Sequence, residues 1–103
     1  MAEAFNYESL PKKVRGQIEK AHLPTGGAIP FEPRLVTKAG GRVLIDTTEV
    51  ATGPKAGKVG RVDTKGRIWI RDRAHAGGAD HWDVQVDEGK TYFRVDDAGN
   101  LLE

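Results

Sequence analysis

One eight-residue pattern occurs twice in the second half of the chain and limits what the chain can become. Arg61-Val62-Asp63-Thr64-Lys65-Gly66-Arg67-Ile68 and Arg94-Val95-Asp96-Asp97-Ala98-Gly99-Asn100-Leu101 both read Arg-Val-Asp-x-x-Gly-x-apolar. An aspartate at the start of such a stretch accepts backbone N–H groups, and a glycine three residues later supplies the positive φ that closes a tight turn. Both copies therefore predict β-hairpin turns, not a repeat architecture, and hairpins make their flanking strands antiparallel.

Alternation extends the β pattern. Ile68 and Ile70 alternate with Trp69 and Arg71, and Trp82, Val84 and Val86 alternate with His81, Asp83 and Gln85. Asp87-Glu88-Gly89-Lys90 turns the chain into Thr91–Val95. Pairing Val86 with Thr91 sets Gln85 opposite Tyr92 and Asp83 opposite Arg94. Trp82, Val84, Val86, Thr91, Phe93 and Val95 then form the core side. His81, Asp83, Gln85, Tyr92 and Arg94 form the other, either a solvated face or the floor of a cleft; alternation alone does not separate the two. Trp69 is expected to close the core against a helix.

The first third carries the single helical stripe. Leu10, Val14, Ile18 and Ala21 recur at three- and four-residue intervals, which predicts a helix over 9–21 with Ser9 as N-cap and Pro11 in the first turn. Leu23-Pro24-Thr25-Gly26-Gly27 ends it, and His22 belongs to its carboxyl terminus. Ala28 to Arg34 reads as an ordered loop, 35–37 and 42–46 as strands around a Gly40-Gly41 turn, and 52–58 as an exposed basic loop. The expected fold is α+β, an N-terminal helix packed on a twisted antiparallel β-sheet, in one domain spanning 1–103.

Composition removes several function classes. The 103 residues include no cysteine, which excludes disulfides, thiolate zinc sites and a thiol nucleophile. No stretch approaches the roughly 20 apolar residues of a membrane span, and the first residues show no export signal. The net charge of +1 hides an asymmetry. Residues 34–73 hold ten basic and four acidic groups, whereas 74–103 hold two basic and seven acidic groups. A basic middle third suits a phosphate backbone, with the acidic end facing elsewhere.

The segment from Asp72 to His81 is hard to explain as a simple connection, because it carries two of the three histidines among charges and glycines. Cleavage of RNA without a metal needs a base for the 2′-hydroxyl, an acid for the leaving 5′-oxygen, and cations for the phosphorane. His75 and His81 are candidates for acid and base, with Asp72, Asp80 or Asp83 orienting an imidazole or serving as base. Arg71, Arg73 and Arg94 are candidates to clamp phosphate. Lys55 and Lys58 add charge for substrate binding, and Tyr92 offers a stacking surface. This reading needs no cofactor and no metal. Alternatives are a metal-dependent nuclease using His75, Asp80 and His81, or a domain that binds nucleic acid or protein without chemistry.

The run from Asp72 to Gln85, with its His-Trp-Asp-Val-Gln before a Gly-Lys-x-Tyr hairpin, resembles the C-terminal toxin domains of bacterial polymorphic toxins of the contact-dependent-inhibition and Rhs types. The resemblance spans about Pro33 to Leu102. It implies a domain released from a larger secreted toxin into a target cell's cytoplasm, acting on RNA or DNA and held by a cognate immunity protein. The favoured substrate is tRNA or rRNA, and the basic surplus of residues 34–73 predicts that the immunity protein is acidic and holds the domain as a monomer. Many small toxins of this kind resemble the barnase, colicin and RelE-like ribonucleases. Ribosome-cleaving colicins carry an aspartate and a histidine three residues apart, as Asp72 and His75 are here. The glutamate that follows them there is missing.

Overall fold

The computed structural model describes residues 5–73 and 80–102. Its elements are one helix, α1 (Lys12–Lys20), and seven strands: β1 (Leu35–Lys38), β2 (Arg42–Ile45), β3 (Thr47–Glu49), β4 (Val59–Val62), β5 (Ile68–Asp72), β6 (His81–Val86) and β7 (Thr91–Val95). The strands form a two-stranded β1–β2 sheet and a five-stranded sheet in the order β3-β4-β5-β6-β7, antiparallel throughout. The fold is α+β with the helix at its amino-terminal end. None of the described helices is long and apolar enough to cross a membrane.

The helix starts later than its apolar stripe suggests. Ser9 ends a 3-10 turn (Tyr7–Ser9), its hydroxyl donating to the Asn6 carbonyl, and α1 begins after Pro11 with no side-chain cap. Proline disfavours helical geometry at the residue before it, and Leu10 is accordingly extended at φ −71°, ψ 149°. The stripe survives the break. Leu10, Val14, Ile18 and Leu23 bury against Phe31, Ile45, Trp69, Trp82, Val84 and Val95 in the main core. Full burial of an aliphatic side chain contributes roughly 1.5–3 kcal/mol, so Val14 and Ile18, at 0% and 2% exposure, anchor α1 to the sheet.

Both Arg-Val-Asp-x-x-Gly stretches are turns of the expected kind. Asp63 Oδ1 accepts from the N–H groups of Lys65 and Arg67, and Gly66 has φ 81°. Asp96 Oδ1 accepts from Ala98 and Asn100, and Gly99 has φ 86°. The two differ in setting. Asp96 is partly open, whereas Asp63 is 1% exposed and also accepts from Arg67 Nε at 2.6 Å and Trp69 Nε1 at 2.9 Å.

Register follows the alternation: Val86 pairs with Thr91, Gln85 with Tyr92 and Asp83 with Arg94. Trp82, Val84 and Val95 face the helix and are buried, as is Trp69; Thr91 is exposed. The opposite face is covered as well. The 50–58 loop lies over it, with Val50 joining Ile68 and Ile70 in a second apolar cluster. Thr52 donates to the Glu88 carbonyl from both its N–H and its hydroxyl, tying the loop to the β6–β7 turn. A Cβ at Gly53 would strike the Gly89 carbonyl oxygen, and one at Gly89 would strike that of Thr52. Glycine at both positions permits this close approach. The polar face of β6 is thus neither solvated nor an open floor: Asp83 and Gln85 are 2% and 1% exposed.

Candidate functional site

Strand pairing builds a charged cluster where β5 ends and β6 begins. Asp72 is directly opposite His81, and Asp83 lies two residues further along β6, so all three share the loop-side face. His81 Nε2 stands 3.3 Å from Asp72 Oδ2 and 3.2 Å from Asp83 Oδ1. Lys55, from the covering loop, places Nζ 3.3 Å from Asp83 Oδ2 and 4.0 Å from Asp72 Oδ2. Arg94 Nε is 3.8 Å from Asp83 Oδ1. A buried carboxylate is costly unless paired. Asp83, with a 4% exposed side chain, is therefore held by an imidazole, an ammonium and a guanidinium that reach it from three different segments.

The cluster opens toward β7. Arg94 is 51% exposed, and Tyr92, two residues away on the same face, is 43% exposed. Lys58 is exposed, and its backbone pairs with Lys55 and Val50. The 52–58 segment is thus not uniformly an exposed basic loop, because Lys55 turns in to the sheet.

The sequence-predicted site divides between two faces. Asp72, His81, Asp83, Lys55, Arg94 and Tyr92 gather on the loop side. Arg71, opposite Trp82, projects to the helix side, where it bonds Asp97 at 2.5 and 3.2 Å, lies 3.7 Å from Asp80, and stacks over the Trp82 ring at 4.9 Å. Arg73 is exposed and lines a helix-side cleft together with Arg71 and Asp80. The phosphate clamp expected from Arg71, Arg73 and Arg94 is therefore not one group. His75 lies outside the described residues. The acidic end does not face away from the basic middle: Asp83 meets Lys55, and Asp80 and Asp97 meet Arg71.

Of the metal set read from the sequence, Asp80 has a carboxylate oxygen 3.7 Å from Arg71 and His81 stands beside Asp72, while His75 lies outside the described residues. Asp72, His81 and Asp83 do offer ligand atoms within 4.8 Å of one another. Lys55 already spans the two carboxylates of that set, so cationic charge is present without an ion.

Sequence reasoning missed Arg61, which lines the helix-side cleft with Lys20, His22 and Asp97. Its signal was there: Arg61 pairs with Trp69, and a residue opposite a core-facing tryptophan shares its face.

No protein-family model, no curated protein and no solved structure matches the chain.

Proposed function

We propose that this domain cleaves RNA without a metal ion, as a toxin-type endoribonuclease, with His81 as the proton-transfer group. The observation that carries the reading is the His81 imidazole set against two carboxylates that Lys55 and Arg94 also contact. An imidazole oriented by carboxylates is suited to take a proton from a hydroxyl and to be stabilised once it is charged.

In this mechanism the 2′-hydroxyl gives its proton to His81 while its oxygen attacks phosphorus. The bond to the 5′-oxygen breaks, and that oxygen takes a proton from a second group. The products are a 2′,3′-cyclic phosphate and a 5′-hydroxyl. Lys55 and Arg94 offset the charge that builds on the phosphorane, and Tyr92 offers a ring to stack an unpaired base. The sequence supplies a second imidazole for the leaving oxygen in His75. The resemblance to polymorphic toxin domains supports a nucleic-acid substrate, here tRNA or rRNA, delivery within a secreted toxin, and restraint by an immunity protein, and the basic surplus of residues 34–73 favours an acidic one.

The test is incubation with total RNA and with plasmid DNA, each in EDTA and in magnesium. The reading expects discrete RNA fragments in both buffers and intact DNA, since DNA has no 2′-hydroxyl. Fragments only with magnesium would transfer the chemistry to a metal on Asp72, His81 and Asp83. Intact RNA in both buffers, with the fold verified, would leave a binding domain.

A further inference from the structure

The helix-side face carries a second concave site that the cleavage reading does not use. A cleft of about 660 Å³ is lined by Lys20, Arg61, Arg71, Arg73, Asp80 and Asp97, with Trp82 and His22 completing its walls. Four of those side chains are cations and two are carboxylates. Both carboxylates are taken by Arg71. Arg61 also borders a neighbouring cleft whose acid is Asp46, but Asp46 is held by Arg34 at 2.7 and 2.9 Å.

Arg61 is left with no ion pair and no side-chain hydrogen bond among the described residues. It lies between β3 and β5, opposite Thr47 and Trp69, and lines the cleft together with Lys20 and Ala21 of the helix end. Half burial without a counter-ion disfavours its charged form and lowers its pKa from the usual arginine value. A guanidinium nevertheless stays charged at neutral pH. Desolvation without a partner is unfavourable for the fold alone and useful for a ligand, because the cost of stripping water from the cation is met before the ligand arrives.

The geometry points to this cleft as a phosphate-binding site centred on Arg61, built for the phosphate of a nucleotide. Guanidinium groups take phosphate through paired N–H donors, and Lys20 and Arg73, exposed at the mouth, add charge. A second cleft of about 470 Å³ shares His22 and Asp97 with the first and is walled by Tyr7, Ile18 and Leu23. Phosphate and base therefore have adjoining places. The carboxyl end of α1 works against an anion here, and the surplus of guanidinium and ammonium groups outweighs it.

This site is on the sheet face opposite His81, so it can be tested apart from cleavage. The probes are inorganic phosphate, adenosine 5′-monophosphate and a short single-stranded DNA, which lacks the 2′-hydroxyl and survives the assay. Binding is read by NMR shifts of the Trp82 indole and the Arg61 backbone in the full chain. The inference expects all three probes to shift these signals, the nucleotides more than phosphate, with Arg61→Gln weakening affinity at least tenfold and Lys90→Gln, an exposed charge elsewhere, leaving it unchanged. Arg61→Lys keeps the charge, loses the paired donors and is expected to fall between. Tight phosphate binding with no gain from the base would name a small phosphorylated ligand in place of a strand and overturn the nucleotide assignment. Unmoved signals, equal affinity in Arg61→Gln, or an acidic protein as the sole occupant would overturn the site. Loss of RNA cleavage with phosphate binding intact would count against the ribonuclease reading alone.

Discussion

The two faces of the β5–β6 pair treat charge in opposite ways. On the loop side, two carboxylates meet a lysine, an arginine and a histidine within 4.0 Å, and the most buried of them, Asp83, has three cationic or ionisable neighbours. On the helix side, Arg71 pairs with both carboxylates of the cleft, and Arg61 is half-buried with no carboxylate partner among the described residues. A matched cluster can hold a proton-transfer group in a fixed position. An unmatched cation can take up an anion from outside. The same pair of strands thus separates the place proposed for chemistry from the place proposed for binding.

The largest expected effect breaks this contrast directly. Lys55→Met leaves Asp83 without its ammonium, and breaking a buried pair costs about 3 kcal/mol or more. For a chain of this size, 1 kcal/mol moves Tm by roughly 4–8 °C, so thermal unfolding of this variant should fall by more than 10 °C. Arg61→Met removes a cation that has no partner among the described residues and should leave Tm within a few degrees or raise it. Equal losses in the two variants, measured by calorimetry, would mean that the two faces are not electrostatically distinct.

A second contrast sharpens the first on the scale of single turns. Asp63→Ala orphans the Trp69 indole N–H and the Arg67 side chain as well as two backbone donors, whereas Asp96→Ala releases donors that water can reach. A buried donor left unpaired costs about 1–3 kcal/mol. Urea unfolding should therefore place Asp63→Ala about 2 kcal/mol below Asp96→Ala; identical midpoints would refute the difference in burial.

The smallest effect is in alkali. Burial, aided by the Glu32 carboxylate, pushes the Tyr7 hydroxyl up from 10.0 to about 12, while that hydroxyl donates to the Phe31 carbonyl. A group whose folded pKa is raised holds its proton longer in the native state, so its contribution is whole below pH 10 and is lost as pH rises through about 12. Stability of the wild type should decline across that window, and Tyr7→Phe should lack this part of the decline. A parallel decline in both would remove Tyr7 as its cause.

Much of the fold was legible because local rules and burial agreed. The two Asp-x-x-Gly turns, the β6–β7 register and the core places of Trp69, Trp82 and Val84 all follow from turn chemistry and alternation. The helix start did not, because the steric demand of Pro11 on Leu10 outweighed the capping preference of Ser9. Asp83 and Gln85 read as a polar face, since alternation carries no information about a loop that returns from residues 50–58 to cover it. The site was half legible for the same reason. His81, Asp72 and Asp83 are neighbours through strand pairing, and Lys55 joins them through a contact 28 residues distant. Arg71 and Arg73 are close in sequence to that group but project to the other face, with Arg61.

The single-turnover cleavage rate of RNA in EDTA, wild type beside His81→Ala with the product ends identified, decides whether His81 transfers a proton. General acid–base catalysis contributes typically 10²–10⁴-fold. The account predicts a fall of roughly that size in a folded His81→Ala, and 2′,3′-cyclic phosphate ends from the wild type. An unchanged rate in His81→Ala, or 5′-phosphate ends from the wild type, would contradict it.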